Sequence, residues 1–453
     1  MVDDGNVLLA TGLHDGPPLS AAPPHGLVGW GGEAMINRML QSILSLFRSC
    51  GIDLYAIMVR ILYRWRWWRA CSWRPAAAQE SICIAVELDF VQSFAQVGRD
   101  FIDKIKSTTI PFHVYDMSLP FGGSRRMPRD AYARYLPFTR KSIDESVVLF
   151  FSQTPSFPSN RICIPQLFWE FESGYVERGA DFTNANDYVV FSDFCLEYFR
   201  RIVPPGCHVH KIRYPYVPGR WRKVLSKEAV RGKYGIPEGA FVAFFHFDAG
   251  SCCDRKNPEG VVRAFADGLR DYPDALLVIK TMYYDEGSAY ARRMSALISD
   301  LGIEHRVRIV NECIPYQDVL DLIASSDVYI SLHRGEGLGI GMMEAMALET
   351  PVICTNYGGN TDFTKPDTAF LVDYKMVPAQ TEHPVYRYVK EWPEPDVAQA
   401  AEHLRALHQD RNLGRLKASH AIHYLDSFFS VEKFEEDVRT MLRSVNGLKG
   451  DAK

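Results

Sequence analysis

Apolar positions change their spacing twice along the chain. From Met35 they recur three and four residues apart, at Ile36, Met39, Leu40, Ile43, Leu44 and Phe47, and a second stripe runs through Leu54, Ile57, Met58, Ile61 and Leu62. That spacing lines one face of a helix and predicts an amphipathic helical stretch. The 33 residues before it are rich in Gly, Pro and Ala without periodicity, a composition that does not build a core. From Ser81 onward, short apolar runs alternate with helical stripes. Ile82–Leu88, Phe112–Met117, Val147–Phe151, 162–165 and Val189–Ser192 read as strands. The second half alternates more regularly: strand Phe241–Phe247, helix Pro258–Tyr272, strand Ala275–Thr281, helix Ser288–Leu301, strand Val307–Val310, helix Tyr316–Ala324, strand Val328–Leu332, helix Gly341–Leu348 and strand Val352–Thr355.

Strands alternating with crossover helices build parallel, doubly wound sheets. The expected fold class is therefore α/β, with two Rossmann-like domains facing a cleft and an N-terminal helical extension. Its parts are the extension over 1–80, a first domain over 81–218, a second over 219–428, and a C-terminal helix over 429–453 that packs back across the junction. The two domains join near Tyr214-Pro215-Tyr216-Val217-Pro218. In such sheets ligands bind in the crevice outside the carboxyl ends of the strands.

Charge and composition narrow the class. Of 453 residues, 51 are Lys or Arg and 55 Asp or Glu, a net charge of −4 that gives no reason to expect a nucleic-acid partner. No apolar run is long enough to span a bilayer, and the opening residues lack the pattern of a secretory signal. Ten scattered cysteines without a C-x-x-C pair suit a reducing, cytoplasmic setting. The extension adds one qualification. Between Arg38 and Arg74 stand seven arginines against a single acid, Asp53, and the stretch ends in Tyr63-Arg64-Trp65-Arg66-Trp67-Trp68-Arg69 and Trp73-Arg74. Indoles at headgroup depth and arginines on anionic lipid predict a peripheral contact with an anionic membrane surface. The competing expectation is a helical hairpin packed on the body of the protein, its arginine stems covering apolar surface.

The candidate chemistry lies in His333-Arg334-Gly335-Glu336-Gly337-Leu338-Gly339-Ile340-Gly341, which follows a strand and opens a helix carrying Glu344. Glycines permit close backbone approach, and a helix start offers free N–H groups and a positive dipole end, so the stretch suits a phosphate. Carboxylates beside an anion site suit a ligand that also carries hydroxyls, since each accepts hydrogen bonds from a diol. A sugar and a ribose flanking a diphosphate meet both demands. The glycine spacing is G-x-G-x-G, which departs from the dinucleotide fingerprint and argues against a dehydrogenase. A second cluster, Asp254-Arg255-Lys256-Asn257-Pro258, follows the first strand of the second block. Its cations would face the same crevice and balance a departing diphosphate.

These stretches, with Phe247-Asp248, Glu344-Ala345-Met346-Ala347, Tyr357-Gly358-Gly359-Asn360-Thr361-Asp362-Phe363 and Trp392-Pro393-Glu394-Pro395-Asp396, resemble the retaining glycosyltransferases of the GT-B fold, family 4, in a dialect similar to mannosyltransferases. The resemblance covers most of 160–425. It implies a hexosyltransferase that moves a hexose, mannose from GDP-mannose in the first instance, onto a glycan or lipid-linked glycan acceptor, as in polysaccharide biosynthesis. It implies catalytic roles for Glu336, Lys256 and Arg255, with Glu336 on the donor sugar. Glu344, on the ribose, and Gly337, Leu338, Gly339, His333 and Asn257 would bind the donor. It implies no metal and no cofactor, the nucleotide sugar being a substrate. Glu170 and Glu172, in Phe168-Trp169-Glu170-Phe171-Glu172, are the candidates for the acceptor side. Two stretches depart from the family pattern: Ala249-Gly250-Ser251-Cys252-Cys253 has no arginine, and Glu87-Leu88-Asp89-Phe90-Val91 has no glycine. The second departure keeps open an alternative, a non-catalytic nucleotide-sugar-binding subunit of a glycan assembly complex. A phosphorylase would want a lysine for pyridoxal phosphate, and nothing marks one.

Overall fold

The computed structural model describes residues 81–447, apart from 89–92, 119–131, 141–146, 152–162, 180–181, 183–184, 283 and 286. The basic amphipathic stretch before Arg74 lies outside the described residues. In the first domain β1 (Ile82–Val86) is flanked in parallel by β2 (Phe112–Asp116) and β3 (Val147–Phe151), and β3 by β4 (Cys163–Pro165). Every residue of β1 and β3 is buried, because helices and loops cover both faces of a parallel sheet, and so these strands read as unbroken apolar runs. Two further parallel strands, β5 (Asp187–Val190) and β6 (His208–Lys211), join the sheet through a bridge between Gln166 and Val189.

The second domain is a six-stranded parallel sheet of β7 (Phe241–Asp248), β8 (Ala275–Met282), β9 (Val307–Asn311), β10 (Val328–Ser331), β11 (Val352–Thr355) and β12 (Phe370–Val372). Their spatial order is β12-β11-β10-β7-β8-β9. The chain runs outward from β7 to β9, then returns to β10 on the other side of β7. That reversal opens a crevice at the carboxyl ends of β7 and β10. The turn after β7 carries Arg255 and Lys256, and the loop after β10 carries Glu336. Two motifs about 80 residues apart are thereby brought face to face.

An antiparallel hairpin, β13 (Tyr374–Pro378) with β14 (Glu391–Pro395), interrupts the parallel pattern. Its exposed first strand and its Trp-Pro-Glu-Pro run carry no alternating apolar signal, so the sequence pattern shows it only as loop. The segment joining the two strands puts Tyr386 against Trp169 and Phe171, with ring centroids 5.5 and 5.3 Å apart. Val389 and Trp392 bury in the same cluster. Gly174, at φ +90°, fits only because a Cβ there would lie 2.9 Å from the Val389 nitrogen.

Helix Arg411–Phe428 packs near helix Ile340–Ala347, and helix Val431–Gly447 then docks on the first domain. Phe434 meets Phe101 edge-on at 5.1 Å, and Asp437 pairs with Arg213 at 2.6 Å. The buried Lys104 ammonium donates to the Phe429 carbonyl at 2.7 Å. Phe434, Val438 and Met441 are fully buried, each contributing about 1.5–3 kcal/mol of transfer free energy. Among the described residues no helix is long and apolar enough to cross a membrane.

Candidate active site

Beyond β7, Asp248 accepts from the Gly250 amide and caps a 3₁₀ turn over Ala249–Ser251. The four-residue helix Cys253–Lys256 then turns its two cations inward. Asn257 stops that helix in the left-handed region at φ +53°, a conformation asparagine tolerates better than most residues. Its Oδ1 accepts from the Gly260 amide at 3.0 Å and its Nδ2 donates to the Leu332 carbonyl at 2.8 Å. The amide thus clamps the basic turn to the end of β10.

The loop after β10 meets this turn at a buried ion cluster. Lys256 Nζ donates to Glu336, and the Arg255 guanidinium lies 3.7 Å from the same carboxylate. Burial opposes ionisation of Glu336, but the charges of Lys256 and Arg255 outweigh it and hold the carboxyl at about 2. Arg255 donates to the carbonyls of Gly335 at 2.8 Å and Ser251 at 3.3 Å. It also faces Glu170 of the first domain at 3.8 Å and lies over the Tyr386 ring at 5.5 Å. Glu170 accepts from the Tyr386 hydroxyl at 3.2 Å.

Close backbone packing explains the glycines. A Cβ on Gly359 would stand 1.9 Å from the Gly337 carbonyl, and one on Gly337 would strike the Phe168 ring at 2.6 Å. The Gly359 amide donates to the Glu336 carbonyl at 2.7 Å, and Ser192 Oγ donates to the Gly337 carbonyl at 2.7 Å. Both domains therefore grip the loop. Gly339, at φ +89°, caps helix Ile340–Ala347. Among the described residues, the amides from Gly337 to Gly341 donate to no protein acceptor. Five consecutive free N–H groups at a helix start form an anion cradle.

Glu344 sits one turn into that helix and is also buried, but its partner is the Tyr316 hydroxyl. His246 Nε2 lies 4.0 Å away. Burial raises the Glu344 carboxyl to about 7; the Tyr316 hydrogen bond opposes the shift, Asp100 adds to it and Arg220 offsets part of it. Burial, then Lys280 and Lys256, depress His246 to about 3, so the imidazole is neutral at pH 7. Gly341 lets it approach the helix, since a Cβ there would lie 2.9 Å from His246 Cε1.

The structure thus gathers Glu336, Lys256, Arg255, Glu344, Gly337, Leu338, Gly339 and Glu170 around one crevice. It assigns other work to three expected site residues. Both Asn257 amide ends are consumed in the clamp described above. His333 is fully buried, with Nδ1 3.1 Å from Ser331 Oγ and Nε2 at 3.0 Å from the Tyr357 carbonyl and 3.1 Å from Asn360 Oδ1. Neither ring nitrogen is left for a donor, and the residue pins β10 to the 357–363 loop. Glu172 points outward with 57% of its side chain exposed and Arg201 at 4.0 Å, because the chain bends over 170–174 instead of continuing as a strand that would keep it on the face of Glu170. Three neighbours are missed by sequence pattern. Tyr316, at the first position of the helix after β9, and Tyr386, in the connection of the β13–β14 hairpin, reach the site from distant segments with no local signal, and His246, which reads as packing within an apolar strand, stands between the two glutamates' surroundings. Among the described residues no group of three or more His, Cys, Asp or Glu is placed to hold a metal ion.

Two parallel α/β domains, a crevice at the strand reversal and a helix-start loop between them define the GT-B fold, and solved structures share it. Anabaena HepE, crystallised with UDP and glucose, superposes over 81% of this chain and 100% of its own, with a TM-score of 0.55 and 15% identity. WaaG, a glycosyltransferase involved in lipopolysaccharide biosynthesis, superposes over 79% and 98%, with a TM-score of 0.52 and 16% identity. Residues 226–407, less than half of the chain, match the family model "Glycosyl transferases group 1". Among curated proteins, the putative glycosyltransferase YtcC of Bacillus subtilis is 26% identical over 230 residues, covering 48% of this chain and 54% of that protein. D-inositol 3-phosphate glycosyltransferase 1 of Catenulispora acidiphila is 30% identical over 138 residues, covering 30% and 32%. The chain thus spans about half or less of the length of these relatives.

Proposed function

We propose that the protein is a glycosyltransferase that moves a hexose from a nucleoside diphosphate sugar to a glycan or lipid-linked glycan. The observation that carries this reading is the row of free amides at Gly337–Gly341, set between a permanently ionised Glu336 and a cation-poor Glu344. Amides hold the diphosphate, Glu336 takes hydroxyls of the sugar and Glu344 takes the ribose diol. The glycosyltransferase group 1 match over 226–407 and the UDP and glucose in the HepE structure support the same assignment. GDP-mannose follows from the motif dialect and UDP-glucose from HepE, so these two donors come first in any test. The basic, tryptophan-rich stretch before Arg74 supports an acceptor held at an anionic membrane surface.

In this reading the reaction retains configuration. The bond from the sugar C1 to the phosphate oxygen breaks, its electrons leaving with the diphosphate. The acceptor oxygen bonds to C1 on the same face, and its proton passes to the departing phosphate oxygen. The protein contributes positioning and charge stabilisation from amides and side chains, without a metal or cofactor. A true donor binds the folded state and raises its melting temperature by mass action. The test is therefore a thermal-shift panel of nucleotide sugars, followed by release of nucleoside diphosphate in the presence of acceptor and its loss in Glu336→Gln. A panel in which no nucleotide sugar or nucleoside diphosphate shifts the melt rejects the proposal.

A further inference from the structure

The cations of the basic turn are already spoken for. Lys256 donates to Glu336, and Arg255 stands 3.7 Å from Glu336 and 3.8 Å from Glu170. Two positive and two negative groups cancel, so a diphosphate on the amide row meets dipoles there but no net positive charge. The stretch Ala249–Cys253 offers no arginine to supply it.

One lysine close by lacks such a counter-ion. Lys280 lies near the carboxyl end of β8 and is paired in register with His246 of β7. In-register neighbours of a parallel pair share a face of the sheet and sit roughly 4.8 Å apart. His246 in turn abuts the start of the helix at Gly341 and has a buried Nδ1 without a hydrogen-bond partner. Lys280 therefore occupies the same face as the amide row, one strand further across. It is 2% exposed, and among the described residues its ammonium meets no hydrogen-bond acceptor or ion-pair partner. The side chain is enclosed but its ammonium tip keeps access to solvent, and a cation held in place without a partner beside an anion site is a candidate ligand group. Burial accordingly lowers the Lys280 pKa, with only Cys313 and Asp248 acting against it.

We infer that Lys280 is the cation that receives the diphosphate of the donor. The inference rests on the glycosyltransferase reading and adds to it a binding residue from a strand that carries no recognised motif. Lys280 lies within charge range of His246, which abuts the start of the helix, and of Cys313 in the loop after β9, so it would reach the anion site from β8.

Isothermal titration of the full chain tests this with UDP, GDP, inorganic pyrophosphate, uridine and guanosine. In Lys280→Met, affinity for pyrophosphate and for the nucleoside diphosphate that binds wild type should fall about 10- to 100-fold, the range for losing one charge-assisted hydrogen bond. Nucleoside affinity should stay unchanged, and the salt dependence of diphosphate binding should become shallower. Lys280→Arg should recover most of the loss. Without ligand, Lys280→Met should melt at or above the wild-type temperature, since a largely desolvated side chain whose charge has no partner in the fold has been replaced by an apolar one. Wild-type affinity for pyrophosphate in Lys280→Met overturns the inference, and so does a loss of nucleoside and diphosphate affinity together with a lower melting temperature. A wild-type protein that binds neither pyrophosphate nor any nucleoside diphosphate overturns the glycosyltransferase reading and this inference with it.

Discussion

At one end of the loop-to-helix segment, Glu336 shares a buried pocket with Lys256 and Arg255. At the other end, Glu344 is equally enclosed but receives a tyrosine hydroxyl, and the nearest ring nitrogen belongs to a neutral histidine. The two side chains are chemically identical, eight positions apart and both inside the protein. One is ionised at every physiological pH, while the other is balanced near pH 7. Burial alone therefore does not decide a carboxylate's state; the difference lies in whether a cation is buried with it. The consequences for stability have opposite signs. Glu336, with its pKa depressed below the unfolded value of about 4.5, stabilises the fold above that value and loses the contribution as pH falls toward 2. Glu344, raised to about 7, binds its proton more tightly in the fold, so it costs stability as pH rises from 4.5 through 7.

The largest expected effect comes from breaking the paired end. Glu336→Gln leaves two buried cations short of their counter-charge, and unfolding free energy in urea should drop by about 3 kcal/mol. Donor turnover should fall about 10²- to 10³-fold, as for loss of a group that acts on the transition state. A variant as stable as wild type would show that the ion cluster does not hold the loop. Next comes Glu344→Gln, which removes a carboxylate disfavoured by its site. It should raise the unfolding free energy at pH 8 by on the order of 2–3 kcal/mol, with the gain vanishing below about pH 4. The same change should raise the donor KM about tenfold, and a stability gain independent of pH would refute the titration assigned to Glu344. Tyr316→Phe sharpens the comparison further. Loss of a hydrogen bond that favours the carboxylate should move the midpoint of pH-dependent donor affinity upward and raise KM at pH 7 about threefold. A profile superimposable on wild type would remove Tyr316 from the site. The smallest effect is expected of Glu172→Ala, within about 0.5 kcal/mol in urea and without change in turnover, because this carboxylate faces water.

Much of the architecture is legible before any coordinates. The alternation of apolar runs and helical stripes after Phe241 marks the strands and helices of the second domain, since a parallel sheet covered on both faces demands continuous apolar strands. The strand–Gly-rich loop–helix succession around Glu336 likewise announces an anion site. The hairpin of β13 and β14 does not show, because exposed residues and prolines satisfy no periodic pattern. Nor do the roles of Asn257 and His333, whose polar atoms are used up by carbonyls that arrive from other segments.

Local sequence alone determined that Glu336 and Glu344 lie on one loop-to-helix unit, that the basic turn starts a helix, and that both occur in parallel α/β domains. Those properties depend on backbone propensity, apolar spacing and glycine freedom, all of which act over a few residues. Only the assembled molecule decided which glutamate received cations, which received a tyrosine, and which lysine was left without a partner. Electrostatic state depends on burial and on charges a few ångströms away through space, and those neighbours come from strands and loops far apart in the chain.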